Sequence, residues 1–259
     1  MPRVPAYFDA FLAAIAQGAE IDHVHLGHWD EPEAVTPSRA RAGFAEAQAR
    51  LSERLVAMLD VGPTDRVLDV GSGFGGTLRA LRRSHPTAAL VGLNVDARQL
   101  AVSLRRDAAP MNATWIAADA CRLPFAEAIF DRLLCVEAAF HFRSRLDFLT
   151  EARRVLRRGG VLVMSDILLT PPPDGLAALS DRLEADLGPW PAKWVSLAEI
   201  RRDAARAGFA LTVHDATAHT GPSYHTIAPD ERADRTGGAI LRDLQRSGRL
   251  RYLYLRLAA

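Results

Sequence analysis

Short apolar runs alternate with amphipathic stretches through the middle of the chain. Five strands are predicted between residues 66 and 169 by the runs RVLDV, ALVGLNV, ATWIAA, FDRLLCV and VLVMSDILL. Stretches with helical spacing predict helices over 77–83, 96–108 and 145–158, the last stopped by Gly159 and Gly160. Near-continuous apolar strands separated by helices indicate a parallel sheet that is covered on both faces.

The segments on either side extend this pattern. Before the first strand, helices are predicted over residues 4–18 and 39–60. After the fifth strand, residues 170–195 break the alternation and are predicted to form a lid made of a loop and a helix. The remaining elements are a helix opened by a Ser196–Glu199 capping box, the strand FALTVHDA, a helix over 229–246 and the alternating strand LRYLYLRLA.

Together these elements predict an α/β fold. It is expected to be doubly wound and Rossmann-like, with a seven-stranded, mostly parallel sheet. Residues 1–60 are assigned to an N-terminal helical cap. Residues 61–259 are assigned to the main domain, with the lid inserted at about 170–195.

Composition adds few limits to this picture. The 259 residues are 49% hydrophobic and 24% charged with a formal net charge of +1, so no general affinity for nucleic acid or an anionic membrane is indicated. Cys121 and Cys135 lack the spacing of metal ligands or of a disulfide framework, which favours a reducing cytoplasm. No run is apolar and long enough to cross a bilayer, and the N-terminus is too interrupted for a signal peptide. The expected partner is a small molecule, and a homodimer is left open.

The strand RVLDV leads into a glycine-rich turn that opens a helix. Glycines let the backbone approach a ligand, and a helix N-terminus favours a negative group. Gly71, Gly73 and Gly76 fit the dinucleotide pattern GxGxxG. Counted from Asp69, the same turn fits an acidic-x-G-x-G-x-G pattern through Gly75, which suggests S-adenosylmethionine. A tight turn that binds nothing is the less favoured interpretation.

Polar residues follow the next two strands at the same predicted edge of the sheet. Asn94 stands near the place where a dinucleotide site has an acidic residue for the ribose hydroxyls, and its amide is a weaker acceptor than a carboxylate. Gln99 is equally suited to contact the cofactor or to cap a helix together with Asp96. Asp119 is placed to accept a hydrogen bond from an adenine amine or to cap its own loop.

Taken as a set, four segments resemble the class I S-adenosylmethionine-dependent methyltransferases: VLDVGSGFGG, GLNVDARQL, ADACRLPF and the stretch from FDRLLCV to VLVMSD. The resemblance is close over residues 66–168, and its most specific part is the LxxGGxL pattern within VLRRGGVL. Arg158 stands there where the family usually has proline. The subgroup it resembles most is the small-molecule methyltransferases of natural-product, sugar, quinone and tocopherol pathways, which share a segment like HLGHWDEP.

The resemblance implies a row of cofactor contacts along successive strand ends. Val136 would lie under the sulfonium, and the final strand would run antiparallel. The methionine part would be wrapped by Asp69, Gly71 and Gly73, and the ribose and adenine would be met by Asn94, Val95, Asp119 and Ala120. S-adenosylhomocysteine would be the product left by the cofactor.

His141, in the segment EAAFHF, is the predicted general base. The resembled sugar and natural-product enzymes carry one or two histidines just after this strand. An imidazole with an unperturbed pKa of about 6.5 is suited to take a proton from a hydroxyl or amine near neutral pH. The alternative is a wall residue packed between Phe140 and Phe142. Asp166, at the end of the fifth strand, is expected to orient or charge-pair His141, or to bond the local backbone.

Two further groups are assigned by position. His28 and Trp29 are expected to cover the methionine end of the cofactor, with His28 also facing the acceptor. The loop that holds His23, His25 and His28 lacks acidic or cysteine partners at ligand spacing, so no metal is expected. Aromatic side chains are expected to form a pocket for a flat or apolar acceptor, or to pack the lid on the domain: Phe140, Trp190, Trp194, Tyr224 and His225.

The function predicted from the sequence is methyl transfer from S-adenosylmethionine to a small, partly hydrophobic acceptor. O-methylation with His141 as base is favoured. C-methylation of a prenyl, quinone or aromatic carbon is the main alternative, since an aromatic pocket would stabilise a developing cation. The remaining alternatives are a nicotinamide-dependent oxidoreductase and a cofactor-binding protein that does not methylate.

Overall fold

A seven-stranded sheet forms the centre of the computed structural model, which describes residues 4–106, 113–171, 176–228 and 236–259. The strands are β1 (Arg66–Val70), β2 (Ala89–Asn94), β3 (Ala113–Ala117), β4 (Phe130–Cys135), β5 (Leu156–Leu169), β6 (Ala210–Asp215) and β7 (Leu250–Ala258). Their order is β3-β2-β1-β4-β5-β7-β6, with parallel pairs from β1 to β5 and with β7 antiparallel to both of its neighbours. The predicted α/β class, strand number and antiparallel final strand are confirmed.

Helices cover both faces of this sheet. They are α1 (Tyr7–Ala16), α2 (Pro37–Ala42), α3 (Phe44–Leu59), α4 (Gly76–Ser84), α5 (Ala97–Arg106), α6 (Arg145–Val155), α7 (Leu176–Leu187), α8 (Leu197–Arg206), α9 (Thr217–Thr220), α10 (Tyr224–Ile227) and α11 (Gly237–Arg246). Single 3₁₀ turns lie at Pro32–Ala34, Ala139–His141 and Gly221–Ser223. Successive side chains of a strand point to opposite faces, so Val67 joins the core under α3 and α4 while Leu68 joins the core under α6 and α8.

The predicted helix over residues 39–60 is wrong in one respect, because it is divided into α2 and α3 at Gly43. The backbone at Gly43 lies against the Trp29 ring, so that a Cβ atom there would come within 3.4 Å of it. A glycine allows this close approach and weakens helix continuity. α3 then ends at Leu59, where Asp60 adopts the left-handed region with φ 54°.

The predicted role of Gly159 and Gly160 as the stop of a helix is also wrong. The helix has already ended, and β5 begins at Leu156, which is buried and pairs with Phe130 of β4. The strand register shifts beyond that pair, and the two glycines lie in the bulge that results, with Gly159 at φ 78°.

The remaining elements agree with the sequence pattern where they are described. The Ser196–Glu199 capping box is present at the start of α8. Of the helix predicted over 229–246, residues 237–246 form α11, and residues 229–235 lie outside the described residues. Within the described ranges no helix has the length and apolar character needed to span a membrane. The division into a cap over residues 1–60, a domain and a lid stays a prediction.

Candidate active site

The carboxyl ends of β1, β2, β3 and β4 open onto a cavity whose empty volume is about 1150 Å³, including its mouth. The helix α1 and the loop around His23 and His25 close it from above. This edge of an open α/β sheet is where such folds hold their ligands. Among the residues singled out from the sequence, those that line the cavity are Asp69, Gly71, Gly73, Asn94, Val95, Gln99, Asp119, Ala120, Val136, Phe140 and His141.

The glycine turn forms the floor of the cavity. Gly71, Gly73 and Gly75 all adopt the left-handed region, with φ of 81°, 53° and 81°. A Cβ atom at Gly71 would collide with the Cβ of Ala138, so the turn stays close to the loop after β4. The Oγ of Ser72 is buried and has no hydrogen-bond partner among the described residues. The turn therefore offers one free polar atom and a backbone that a ligand can approach.

Asp69 places a carboxyl group beneath this turn. The side chain is only 2% exposed, and burial raises its pKa to about 7. A carboxyl in such a position regains its charge when a cation is bound beside it. Asp69 is therefore suited to a positively charged group of a ligand.

The ends of β2 and β3 hold polar side chains that are partly engaged with their own loops. The Asn94 amide donates to Oε1 of Gln99 at 3.0 Å, and its Oδ1 accepts from the Asp96 backbone N–H at 3.1 Å. The Asp119 Oδ1 accepts from the backbone N–H of Cys121 at 2.8 Å, which is the loop-capping alternative. These bonds fix the side chains in the cavity wall and leave their remaining lone pairs and protons for a ligand.

His141 lies at the other end of the cavity, in the 3₁₀ turn after β4. Its Nδ1 is 2.7 Å from the Pro189 carbonyl, which can only accept, so Nδ1 carries the proton. Its Nε2 is then the acceptor of the Tyr7 hydroxyl, 3.0 Å away. Burial lowers the pKa of His141 to about 4, so the ring is neutral near pH 7.

Asp166 does not contact His141. It is fully buried, and its carboxylate accepts from Nε of Arg145 at 2.6 Å and from Nη2 at 3.0 Å, as well as from the Ile167 backbone N–H. Arg145 also donates to the carbonyl of Ala192. The carboxylate thus forms a buried ion pair that ties α6 and β5 to the segment after α7, because a buried arginine requires a charged partner.

His28 and Trp29 lie outside the cavity wall. His28 stacks on His219 with ring centroids 4.6 Å apart, and its Nδ1 lies 2.9 Å from the Tyr254 hydroxyl. Trp29 packs on Ala40 and Ala47 in a separate small apolar cluster. Both side chains anchor the N-terminal loop on the domain rather than facing the glycine turn.

The other aromatic residues also form packing contacts behind the cavity. Trp190 is 1% exposed and packs on Phe140 with ring centroids 4.6 Å apart. The Trp194 indole N–H donates to Ser180 Oγ at 2.8 Å. Tyr224 and His225 border a different, shallower pocket next to α11. Only Phe140 of this predicted acceptor group lines the cavity.

Several polar residues in the cavity wall were not singled out from the sequence as ligand contacts, among them Tyr7, His23, His25 and Glu137. Glu137 is the second residue after β4, and the rule that places ligands at strand ends applies to it as it does to His141. His25 donates from Nδ1 to the Leu26 carbonyl, so its Nε2 accepts from His23 Nδ1 at 3.0 Å. Burial lowers the pKa of His23 to about 4 and that of His25 to about 3. In the parts of the chain that the structure describes, no three His, Cys, Asp or Glu side chains are grouped to hold a metal ion.

Comparison with known proteins gives the class of this site. Residues 68–164 match the family model of a methyltransferase domain. The chain is 32% identical over 214 residues to 27-O-demethylrifamycin SV methyltransferase of Amycolatopsis mediterranei (strain S699), covering 80% of this chain and 74% of that protein. It is 36% identical over 151 residues to Methyltransferase GfsG of Streptomyces halstedii, covering 57% of this chain and about half of that relative, 52%. Geranyl diphosphate C-methyltransferase from Streptomyces coelicolor A3(2) has the same fold, with a TM-score of 0.77, 18% identity and 99% of each chain covered.

The chain therefore belongs to the class I S-adenosylmethionine-dependent methyltransferases. S-adenosylmethionine is the cofactor of this family, and the nicotinamide alternative is set aside. The identity of the acceptor is a separate question, because relatives of this family methylate different molecules.

Proposed function

We propose that this protein transfers the methyl group of S-adenosylmethionine to a hydroxyl oxygen of a small, partly hydrophobic molecule. The observation that carries the proposal is one continuous cavity with the glycine turn at one end and the neutral imidazole of His141 at the other. The cofactor, when bound, supplies a methyl carbon on a sulfonium that is open to in-line attack.

Residues of the cavity floor fit this cofactor. The free Oγ of Ser72 and the left-handed glycines of the turn suit its methionine part, and Asp69 suits its ammonium. Asn94, Val95 and Gln99 line the next stretch, where the ribose would lie. Asp119 and Ala120 would meet the adenine, and Val136 the sulfonium region. Trp29 does not line this cavity, and its contact with the cofactor stays a prediction.

His141 is the proposed general base. A neutral imidazole has a lone pair at Nε2, and that atom faces the N-terminal helix through the Tyr7 hydroxyl. An acceptor hydroxyl hydrogen-bonded to Tyr7 would pass its proton to Tyr7 oxygen while Tyr7 passes its own to Nε2. Burial raises the pKa of Tyr7, so a free tyrosinate is disfavoured and the two transfers would occur together.

C-methylation is the second candidate, and the aromatic wall favours it. Tyr7, Phe8, Phe140 and Phe142 all line the cavity, and their ring faces suit a developing carbocation. A reaction of this kind would still require a base to remove the final proton. The partner remains a small molecule, and a homodimer and a cytoplasmic location stay predictions.

The first experiment is a binding measurement followed by a product assay. Calorimetric titration with S-adenosylhomocysteine should show tight binding, and NAD should show none. Incubation with methyl-labelled S-adenosylmethionine and a panel of phenols, sugars and quinols should then give a product heavier by one methyl group. Binding without any methylated product would favour a protein that uses the cofactor only as a structural ligand.

The role of His141 is tested with the acceptor that this panel identifies. His141→Ala should keep the affinity for S-adenosylhomocysteine and lower kcat by about 10²-fold or more, which is the usual contribution of a general base. An unchanged kcat at saturating acceptor would show that His141 only shapes the cavity wall.

A further inference from the structure

Glu137 is a buried carboxyl group with one oxygen already engaged. Its Oε1 accepts from the Leu26 backbone N–H at 2.7 Å and from the Tyr252 hydroxyl at 2.5 Å. No hydrogen bond within the described ranges reaches Oε2, although Glu137 lines the cavity. Its backbone is in the left-handed region, with φ 46°, and its N–H donates to Ser165 Oγ at 3.0 Å. This conformation is unfavourable for a residue with a side chain, and several contacts hold it there.

Among the residues that the structure describes, none with a positive charge pairs with Glu137. Burial is the main cause that raises its pKa to about 7, and Asp166 adds to the effect, while the Tyr252 hydroxyl and the Leu26 N–H oppose it. The titratable groups that interact electrostatically with Glu137 come from four elements. They are Tyr7 of α1, Asp166 of β5, Tyr224 of α10, and Tyr252 and Tyr254 of β7. All but Asp166 are neutral phenols, and Asp166 is already paired with Arg145.

The cavity thus contains two carboxyl groups, Asp69 and Glu137, whose pKa values burial raises to about 7. The cofactor has two cationic groups. Its ammonium belongs to the methionine part, next to the glycine turn and Asp69. Its sulfonium would lie by Val136, as the family resemblance implies, and Glu137 directly follows Val136 in the cavity wall. A cation that enters a low-dielectric cavity favours the ionised form of the carboxyl group beside it.

We propose that Glu137 is the counter-ion of the sulfonium, ionised while the methyl-bearing cofactor is bound and protonated once the positive charge has gone. This inference rests on the proposed function. It gives the chain a way to distinguish S-adenosylmethionine from S-adenosylhomocysteine, which share the ammonium and differ in charge only at sulfur. It also makes Glu137 a catalytic residue, because its carboxylate touches the reacting centre.

The charge balance of methyl transfer explains why such a group is needed. The acceptor oxygen bonds to the methyl carbon, the electron pair of the broken carbon–sulfur bond stays on sulfur, and the hydroxyl proton goes through Tyr7 to His141. His141 is buried and poorly suited to remain an imidazolium. The imidazolium returns its proton to solvent when the product leaves, and Glu137, no longer beside a cation, regains the pKa of about 7 that it has in the empty cavity. The sulfonium is thus balanced by Glu137 while the methyl-bearing cofactor is bound, and the uncharged sulfur of S-adenosylhomocysteine allows that carboxyl group to be protonated again.

Calorimetry in buffers of different ionisation enthalpy tests the inference without any acceptor. At pH 7, binding of S-adenosylmethionine should release about half a proton more than binding of S-adenosylhomocysteine, because a group with a pKa near 7 is half protonated there. The ratio of the two affinities should fall up to about tenfold per pH unit below pH 7. The contribution of Asp69 cancels in this comparison, since both ligands have the ammonium.

Two variants assign the effect to Glu137. Glu137→Gln should abolish the difference in proton release while both ligands still bind. Tyr252→Phe keeps the carboxyl but removes a hydrogen bond that lowers its pKa, so the pH dependence should move to higher pH. The exposed Glu46, replaced by Gln, is the matched control and should leave the difference unchanged.

Other outcomes would overturn the inference. Equal proton release for the two ligands, or a difference that persists in Glu137→Gln, would show that Glu137 is not the counter-ion. A difference lost in His141→Gln instead would assign the linkage to the imidazole. If neither ligand binds, the proposed function fails and the inference fails with it. If both bind with the same pH dependence, only the inference fails.

Discussion

The hydroxyl of Tyr7 in α1 lies 3.0 Å from Nε2 of His141, the ring atom that would take the acceptor proton. The two residues are 134 positions apart in the chain, so a helix outside the sheet supplies the hydrogen-bond partner of the proposed base. Both residues line the cavity, and the Nε2 lone pair of His141 is already occupied by the Tyr7 hydroxyl. Tyr7 is therefore placed as a proton relay in the proposed mechanism.

Tyr7→Phe keeps the ring and its packing but removes the relay hydroxyl. We expect kcat to fall by about 10²-fold, within the range for loss of a general acid–base group. The affinity for S-adenosylhomocysteine should stay the same. The double variant with His141→Ala should be no slower than His141→Ala alone, because both residues act in one step. Additive losses would contradict the relay.

The Arg145–Asp166 ion pair is expected to stabilise the fold rather than to take part in chemistry. Asp166→Asn leaves a buried guanidinium without its anion and should lower the free energy of unfolding by about 3–5 kcal/mol. Urea unfolding measures this loss. The double variant Arg145→Met with Asp166→Leu should recover most of it, since no charge is left unpaired. A large fall in kcat of folded Asp166→Asn would instead restore Asp166 to the catalytic group.

The role of Gly71 in the cofactor floor can be tested with Gly159, outside the cavity, as the matched control. Both have positive φ, 81° and 78°, but a Cβ at Gly71 collides with Ala138 whereas nothing lies within 4 Å of one at Gly159. Substitution by alanine should cost about 1–2 kcal/mol of backbone strain at either position. Only Gly71→Ala should also lose binding of S-adenosylhomocysteine in calorimetry. Equal affinities in the two variants would separate the turn from the cofactor.

The buried pair His23 and His25 makes a contribution to stability that is expected to be lost in acid. Their pKa values, about 4 and about 3, lie below the unfolded value of about 6.5, so the unfolded state binds more protons. Their contribution is complete above pH 6.5 and falls as pH drops toward 4, by about 1.4 kcal/mol per pH unit for each histidine. Asp69 and Glu137 have raised pKa values and act in the opposite direction.

The measurement is therefore a comparison of thermal unfolding in the wild type and in His25→Gln between pH 5 and pH 7.5. The variant should lose less stability than the wild type as the pH falls. The exposed His214, replaced by Gln, is the control and should follow the wild type. Parallel profiles for His25→Gln and the wild type would show that His25 is not protonated on unfolding.

The sequence predicts the cofactor floor better than the acceptor end. Asp69, Asn94 and Asp119 come from different strands, and parallel topology alone brings their ends to one edge of the sheet. The same rule also predicts Glu137 as a site residue, because it follows the end of β4. The convergence of these residues can be predicted without knowing how the helices pack.

The acceptor end depends on contacts between distant segments, which no local pattern encodes. Asp166 pairs with Arg145 of α6 because both are buried at that place, and the apolar pattern of β5 gives no sign of it. Trp190 packs behind Phe140, and Trp29 packs on α2 and α3. Tertiary packing decides whether an aromatic ring faces a cavity or a core, and the position of the residue in the sequence does not predict it.

The helix α1 contributes Tyr7 and Phe8 to the cavity, yet all ten of its residues are at least partly exposed. Substitutions along it therefore cost little folding free energy, whereas the cofactor floor is built from the sheet itself and tolerates few changes. In the proposed function, α1 thus contributes to the acceptor end of the cavity together with Phe140 and His141, while the floor that would hold the cofactor comes from the sheet edge. An exchange of residues 8–16 that keeps Tyr7 is therefore expected to alter this wall of the cavity while the cofactor floor and the sheet stay unchanged.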